Sequence, residues 1–248
     1  DACEDMNFAM NFLKSNVGID SPALLSSPSM MVAISYFGHK RNYLISPDES
    51  KLLRYWVLAA NAKGRFSRGS SETLLDQDIA SIRDGGDIQD LIDRLRSQVG
   101  KLEISPEELS GRNQRSALFK TMFLAFRSAG AKDWHSNLTI ALDHSGAQHR
   151  LQFHHIFPKA VLTKAGVISR EADDISNLAF IGGKTNRVIS NKPPKEYLAF
   201  FATKSGEEGF RVQEIPLDPE LLDTPAYKKF LEVRRERIAN RLNLFISG

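Results

Sequence analysis

The sequence predicts an α+β fold, mostly α, and three observations carry that prediction. Apolar residues recur at helical spacing through most of the first 130 positions. Near residue 137 short β-favouring runs replace that period. Beyond residue 183 helix signals return and persist to the C-terminus. Hydrophobic residues make up 42% and charged residues 25% of 248 positions, so the chain can bury an ordinary globular core. Wholesale disorder, a collagen-like repeat and a small disulfide-stapled scaffold are excluded.

In the N-terminal region, Met6, Met10 and Leu13, with Phe8 and Phe12 beside them, predict a first helix after a short acidic start. Ser27-Pro28 supplies a cap and a first-turn proline ahead of Met30, Met31, Ile34 and Phe37. Ser46-Pro47-Asp48-Glu49 repeats that signal ahead of Leu52, Leu53, Trp56, Val57 and Ala60. Helix formers run over 72–82 until Gly85-Gly86 breaks them. Ile88, Leu91, Ile92 and Leu95 mark an amphipathic helix ending near Gly100. Ser105-Pro106-Glu107-Glu108 caps a short helix, and residues 117–126 form a strongly apolar one. Stripes of this kind predict core, not cofactor contact. Arg65 and Arg68 lie in a Gly/Ser-rich turn, where a helix–helix connection is expected and nucleic-acid contact is the alternative.

The middle of the chain reads differently. LTIAL (138–142) is strand-like, RLQFH (150–154) alternates with period two, and 177–181 is a further β-favouring run ended by Gly182-Gly183. Residues 184–188 begin a helix, Pro193-Pro194 punctuates the chain, and 196–201 is helical. Thr224-Pro225 caps a long final helix with Tyr227, Leu231, Ile238, Leu242 and Phe245 along one side. Its basic residues, among them Arg234 and Arg235, are expected on a solvated face. No internal repeat is present. The change of character sets the domain boundary between 130 and 148, giving a helical adaptor region over 1–140 and a second domain over 141–248.

The single cysteine, Cys3, excludes an internal disulfide and a Cys-rich zinc site and points to a reducing compartment. Apolar runs fall far short of the ~20 residues that span a bilayer, so no membrane partner is expected. No basic-then-apolar leader is present. The chain opens on Asp1 rather than Met, as a piece of a longer protein would.

The net charge of +3 is uninformative until it is partitioned. Residues 149–195 hold 8 Lys/Arg against 3 Asp/Glu, while the flanks on either side are each close to neutral. Four of the six histidines, His144, His149, His154 and His155, lie in or just before that stretch. A local cationic patch is the footprint expected where phosphate is handled.

The informative segment runs from 153 to 194. His154 and His155 are adjacent on a predicted strand and point to opposite faces, so they cannot share one task. One can face a metal while the other faces a water, or one can be packed. GGKT (182–185) imitates the tail of a phosphate-binding P-loop. The glycine that motif requires at position 178 is Leu, so nucleotide binding there is rejected.

Three motifs, HHIFPK (154–159), ISNLAFIGG (175–183) and KTNRVISNKPP (184–194), together with the nine-residue step from Asn177 to Asn186, carry a resemblance. The segment resembles the HNH, or His-Me finger, nucleases. It is most similar to the C-terminal nuclease domain of GmrSD-type modification-dependent restriction enzymes (DUF1524). More loosely, residues 52–79 resemble the region that precedes this domain in DUF262-containing defence proteins. The resemblance implies a ββα-metal core after the helical region, with C-terminal helices beyond it. It further implies a DNA endonuclease that nicks as a monomer and makes a double-strand break on oligomerisation. The setting implied is the cytoplasm of a bacterium, where the chain is the effector of an anti-phage restriction protein with a DUF262-type domain upstream.

Carried over residue by residue, the resemblance makes His155 the general base and Asn177 the residue that braces the hairpin and orients that base through its backbone carbonyl. His154 and Asn186 become the ligands of one divalent cation. An imidazole with a pKa of ~6.5 is mostly neutral at cellular pH and can accept a proton. Lys159, Lys184, Arg187 and Lys192 are close enough in sequence to contact DNA phosphates, and Asn191 is a further candidate, with a helix-end cap as its other role. Many members of the family carry Asp or Glu where this chain has His154. Mg2+ remains the expected cofactor, and a neutral nitrogen ligand there predicts that Mn2+ or Ni2+ substitutes well. The rival reading is a DNA-binding or interaction module that keeps the finger without cutting.

Overall fold

The computed structural model describes residues 1–67 and 69–248; Arg68, noted above, lies outside them. The protein is mostly helical, with one small antiparallel sheet. It divides into two compact units. The first comprises residues 1–103, 116–124 and 244–248, and the second residues 104–115 and 125–243. The second therefore begins well before the change of character near residue 137. Among the described residues no helix is long and apolar enough to cross a membrane.

In the first unit, α1 (Ala2–Phe12) packs on α2 (Ser29–Lys40), α2 on α4 (Ser71–Arg83), and α3 (Pro47–Lys63) on α5 (Ile88–Val99). Local sequence accounts for the starts. Ser46 and Glu49 form a reciprocal capping box with Pro47 in the first turn, and Asp87 with Asp90 does the same for α5. Gly38 lets the Phe8 ring approach α2, since a Cβ there would fall 2.2 Å from the ring. The buried face of α1 is Ala9 and Phe12, with Leu13 just beyond; Met6 and Met10 are exposed, contrary to the stripe expected of them.

Arg65 is not available to nucleic acid. It is 1% exposed, and its guanidinium donates to both oxygens of buried Asp78, at 2.7 and 2.5 Å, and to Gln98. The turn is thus held by an internal ion pair.

The second unit opens with α6 (Pro106–Leu109), again capped by a Ser105–Glu108 box, and receives the end of α7 (Ala117–Ser128). The expected strand over 138–142 does not form. Asn137 takes a left-handed φ of 59° and turns the chain, leaving a single bridge between Lys132 and Thr139. The two other β-favouring runs do pair. In β1 (Leu151–His155) and β2 (Leu178–Gly182), His155 stands opposite Leu178 and Leu151 opposite Gly182. Between them lie the short helices α8 (Lys159–Lys164) and α9 (Ser169–Ala172). After them α10 (Gly183–Ile189) contacts both strands, followed by α11 (Pro194–Ser205), α12 (Glu208–Arg211) and α13 (Tyr227–Ser247).

A two-stranded sheet is not stable alone. Here Ile156, Phe157, Ala179 and Ile181 join Tyr197, Phe201, Phe210 and Phe230 in one buried cluster. Side chains complete the outer edge of β2. Gln213 bonds both the N–H and the carbonyl of Phe180, each at 2.8 Å. Buried Arg234 donates to the carbonyls of Ser176, Leu178 and Gln213. Asp133 accepts from Gly182 N–H at 2.6 Å. Arg234, expected on a solvated face, is 0% exposed and structural.

Candidate active site

Because successive strand residues face opposite sides, β1 gives its two histidines different neighbours. His154 turns inward and is 4% exposed. Its ring stands edge-on to Tyr197, with centroids 5.4 Å apart, and to Trp134 at 6.0 Å. Nδ1 lies 2.9 Å from Asn186 Oδ1, and buried Nε2 has no hydrogen-bond partner among the described residues. Burial pushes the His154 pKa down to about 4. The Asn186 hydrogen bond opposes that shift and the nearby His155 reinforces it. The ring is therefore neutral at pH 7, the state a metal ligand requires.

Asn186 is delivered by α10, and α10 is seated by Asp133. That carboxylate accepts from Thr185 Oγ1 at 2.8 Å and from the Ser136 backbone and hydroxyl, as well as from Gly182 N–H. Burial acts to raise the Asp133 pKa, but these hydrogen bonds outweigh it and hold the carboxyl below the usual range. Gly183 is required at the start of α10: a Cβ there would meet the Ala147 carbonyl oxygen at 2.3 Å.

The His154–Asn186 pair fits a divalent cation. Two donor atoms 2.9 Å apart have the separation of neighbouring ligands on an octahedral ion with bonds of roughly 2.1 Å. One imidazole nitrogen and one amide oxygen suit Mn2+ and Ni2+ at least as well as Mg2+. Among the described residues no three His, Cys, Asp or Glu side chains converge on a common point, so the remaining positions would fall to water or substrate oxygens.

His155 turns the other way, into a cleft of about 570 Å³. Its Nε2 lies 2.8 Å from Asp173 Oδ1, and Asp173 Oδ2 accepts from Lys159 at 2.9 Å. Partial burial favours the protonated form of Asp173, yet the Lys159 and His155 hydrogen bonds hold its pKa below the usual carboxylate range. A carboxylate on Nε2 fixes the neutral imidazole as the Nε2–H tautomer and leaves Nδ1 as the atom able to take a proton.

Asn177 is fully buried beneath this turn. Its amide accepts from Phe157 N–H and donates to the carbonyls of Phe157 and Ala172. Its own carbonyl accepts from Ile156 N–H at 2.8 Å. Asn177 thus bonds the backbone at Ile156, Phe157 and Ala172, and the imidazole of His155 bonds Asp173.

The basic candidates separate. Lys159 lines the cleft, in an ion pair with Asp173. Arg187 donates to the Ala147 carbonyl at 3.0 Å. Lys184 and Lys192 are exposed and do not line the cleft. Asn191 is exposed after Ser190, which has a φ of 53°, and its side chain makes no hydrogen bond among the described residues. Three cleft residues escaped the sequence reading: Asp173, Arg170 and Arg115. The one signal for Asp173 was its place among the three acids of the basic stretch, Glu171, Asp173 and Asp174.

No family model matches the chain. It is similar to the uncharacterized protein MJ0686 of Methanocaldococcus jannaschii, 25% identical over 158 residues, which covers 61% of this chain and 25% of the relative. The chain thus spans about a quarter of the length of the curated relative it matches.

Proposed function

We propose that the chain is a metal-dependent DNA endonuclease that hydrolyses phosphodiester bonds, with β1, β2 and α10 as its ββα-metal finger. The observation that carries this reading is the division of labour on β1. Neutral His154 is bonded to Asn186 of α10, and the adjacent His155 is bonded to Asp173 at the cleft.

His154 Nδ1 and Asn186 Oδ1 would hold the cation. A cation held there would supply positive charge that stabilises the phosphoryl-transfer transition state. His155 takes the proton of the attacking water at Nδ1, because Asp173 occupies Nε2. Asp173 also stabilises the imidazolium that results, and Lys159 keeps Asp173 ionised. Asn177 holds the turn at Phe157 so that His155 leaves the strand at a fixed angle. The site contains one base, so the expected product is a nick. The first unit serves as an adaptor to a DUF262-type domain upstream, in a bacterial anti-phage restriction protein.

One observation favours a second reading, a finger that binds DNA without cutting: His154 and Asn186 already satisfy each other. Supercoiled plasmid incubated with the chain across Mg2+, Mn2+ and Ni2+ separates the two. Open-circular product that disappears in His155→Ala supports the nuclease. Nicking unchanged in that variant refutes the assigned base, and DNA binding with no cleavage in any metal favours the second reading.

A further inference from the structure

We infer that the cleft beside His155 is a binding subsite for a nucleic-acid phosphodiester backbone, gripped by Arg115 and Arg170. The inference rests on the nuclease reading for the identity of the anion.

Of the cations lining the cleft, Lys159 is already paired with Asp173. The guanidinium groups of Arg115 and Arg170 have no hydrogen-bond or ion-pair partner among the described residues. Among the described residues the single acid lining the cleft, Asp173, is committed to Lys159 and His155, so two positive charges remain unbalanced beside the base. Guanidinium groups in that state suit bidentate contact with phosphate.

Arg115 does not reach the cleft by chance. Its segment lies 40 residues before β1's second histidine in the sequence, and buried Asp174 fastens it there. Asp174 accepts from Gly111 N–H at 2.8 Å, from Ser176 N–H and from Arg235, while the Arg112 carbonyl accepts from Ile175 N–H. An Asx turn from Asn113 to Arg115 N–H then shapes the last residues of the loop. The same acidic pair therefore serves two ends: Asp173 sets the base, and Asp174 sets the loop that carries a charge to it.

The test uses the full chain, a fluorescein-labelled DNA duplex and fluorescence anisotropy in EDTA over a KCl series, so that binding is read without cleavage. Arg115→Gln and Arg170→Gln should each make the slope of log affinity against log salt shallower by about 1, and the double variant by about 2. Arg→Lys variants should retain the slope while losing some affinity at fixed salt. Lys229→Gln, an exposed change on α13, is the control and should leave the slope in place. A double variant that binds with the wild-type slope overturns the inference, whatever the plasmid assay gives. Slope lost in the double variant from a chain that never nicks plasmid upholds the subsite and removes the nuclease reading. Equal loss in the Lys229→Gln control means general surface charge and overturns it too.

Discussion

Asn177 closes a two-bond ring on Phe157, accepting from its N–H at 2.8 Å and donating to its carbonyl at 3.1 Å. The ring ties the residue two beyond His155 to the residue just before β2, and so stiffens the turn between strand and cleft. Asn177→Ala should strand these buried backbone groups and the Ala172 carbonyl, costing about 3 kcal/mol of unfolding free energy. Urea denaturation measures it. A loss no larger than that of an exposed Asn→Ala change would deny the brace.

A pH dependence follows from His154. Its folded-state value of about 4 lies below the ordinary ~6.5. On acidification the unfolded chain takes up the proton first. Stability from this group is complete above pH ~6.5, declines between ~6.5 and ~4, and is level below that, a total on the order of 3 kcal/mol. Unfolding in EDTA at pH 7 and pH 5 should show most of this decline in the wild type and much less in His154→Gln. Parallel declines in the two proteins would contradict the assignment.

The metal preference follows from the nitrogen ligand. Wild type should nick plasmid at least as well in Mn2+ or Ni2+ as in Mg2+, and His154→Asp should shift the balance toward Mg2+. Activity in Mg2+ alone would count against the role given to His154.

Gly183→Ala should displace the first turn of α10, because the new methyl meets a backbone oxygen that cannot swing aside. The expected cost is about 1–3 kcal/mol, visible as a lower melting temperature. An unchanged melting temperature would show that the segment around Ala147 yields freely.

In the first unit, Asp78→Ala should leave the Arg65 guanidinium buried without its partner, at a cost of about 3–5 kcal/mol. An exposed change such as Asp84→Ala should cost little by comparison. Calorimetry distinguishes them, and equal effects would mean that the Arg65–Asp78 pair is solvated.

What was legible in the sequence was local. Ser46 and Glu49 bond within four residues of chain, so their box is written in the order of the letters. The alternation over 150–154 likewise needs no knowledge of distant partners. Asp173 and Arg115 were not legible, because their meaning comes from His155 across 18 residues and from Asp174 across a longer span. The run over 138–142 misled for the complementary reason. Its side chains favour a strand, but a strand needs a neighbour, and side chains already occupy the outer edge of β2. Helical periodicity also placed Met6 and Met10 in the core, whereas Ala9 and Phe12 are the buried residues of α1, and Met6, though partly exposed, accepts from Ser35 Oγ of α2. The residues of the candidate site remain assigned by resemblance; what the fold adds is which of them meet.

The groups supplied by Gln213, Arg234 and Asp133 have a consequence for association. An open sheet edge invites strand addition by another chain, the route to swapped dimers and fibrils. Here the hydrogen-bonding groups along β2 are spent on side chains of the same molecule. That edge of the hairpin is therefore closed to strand addition by another chain.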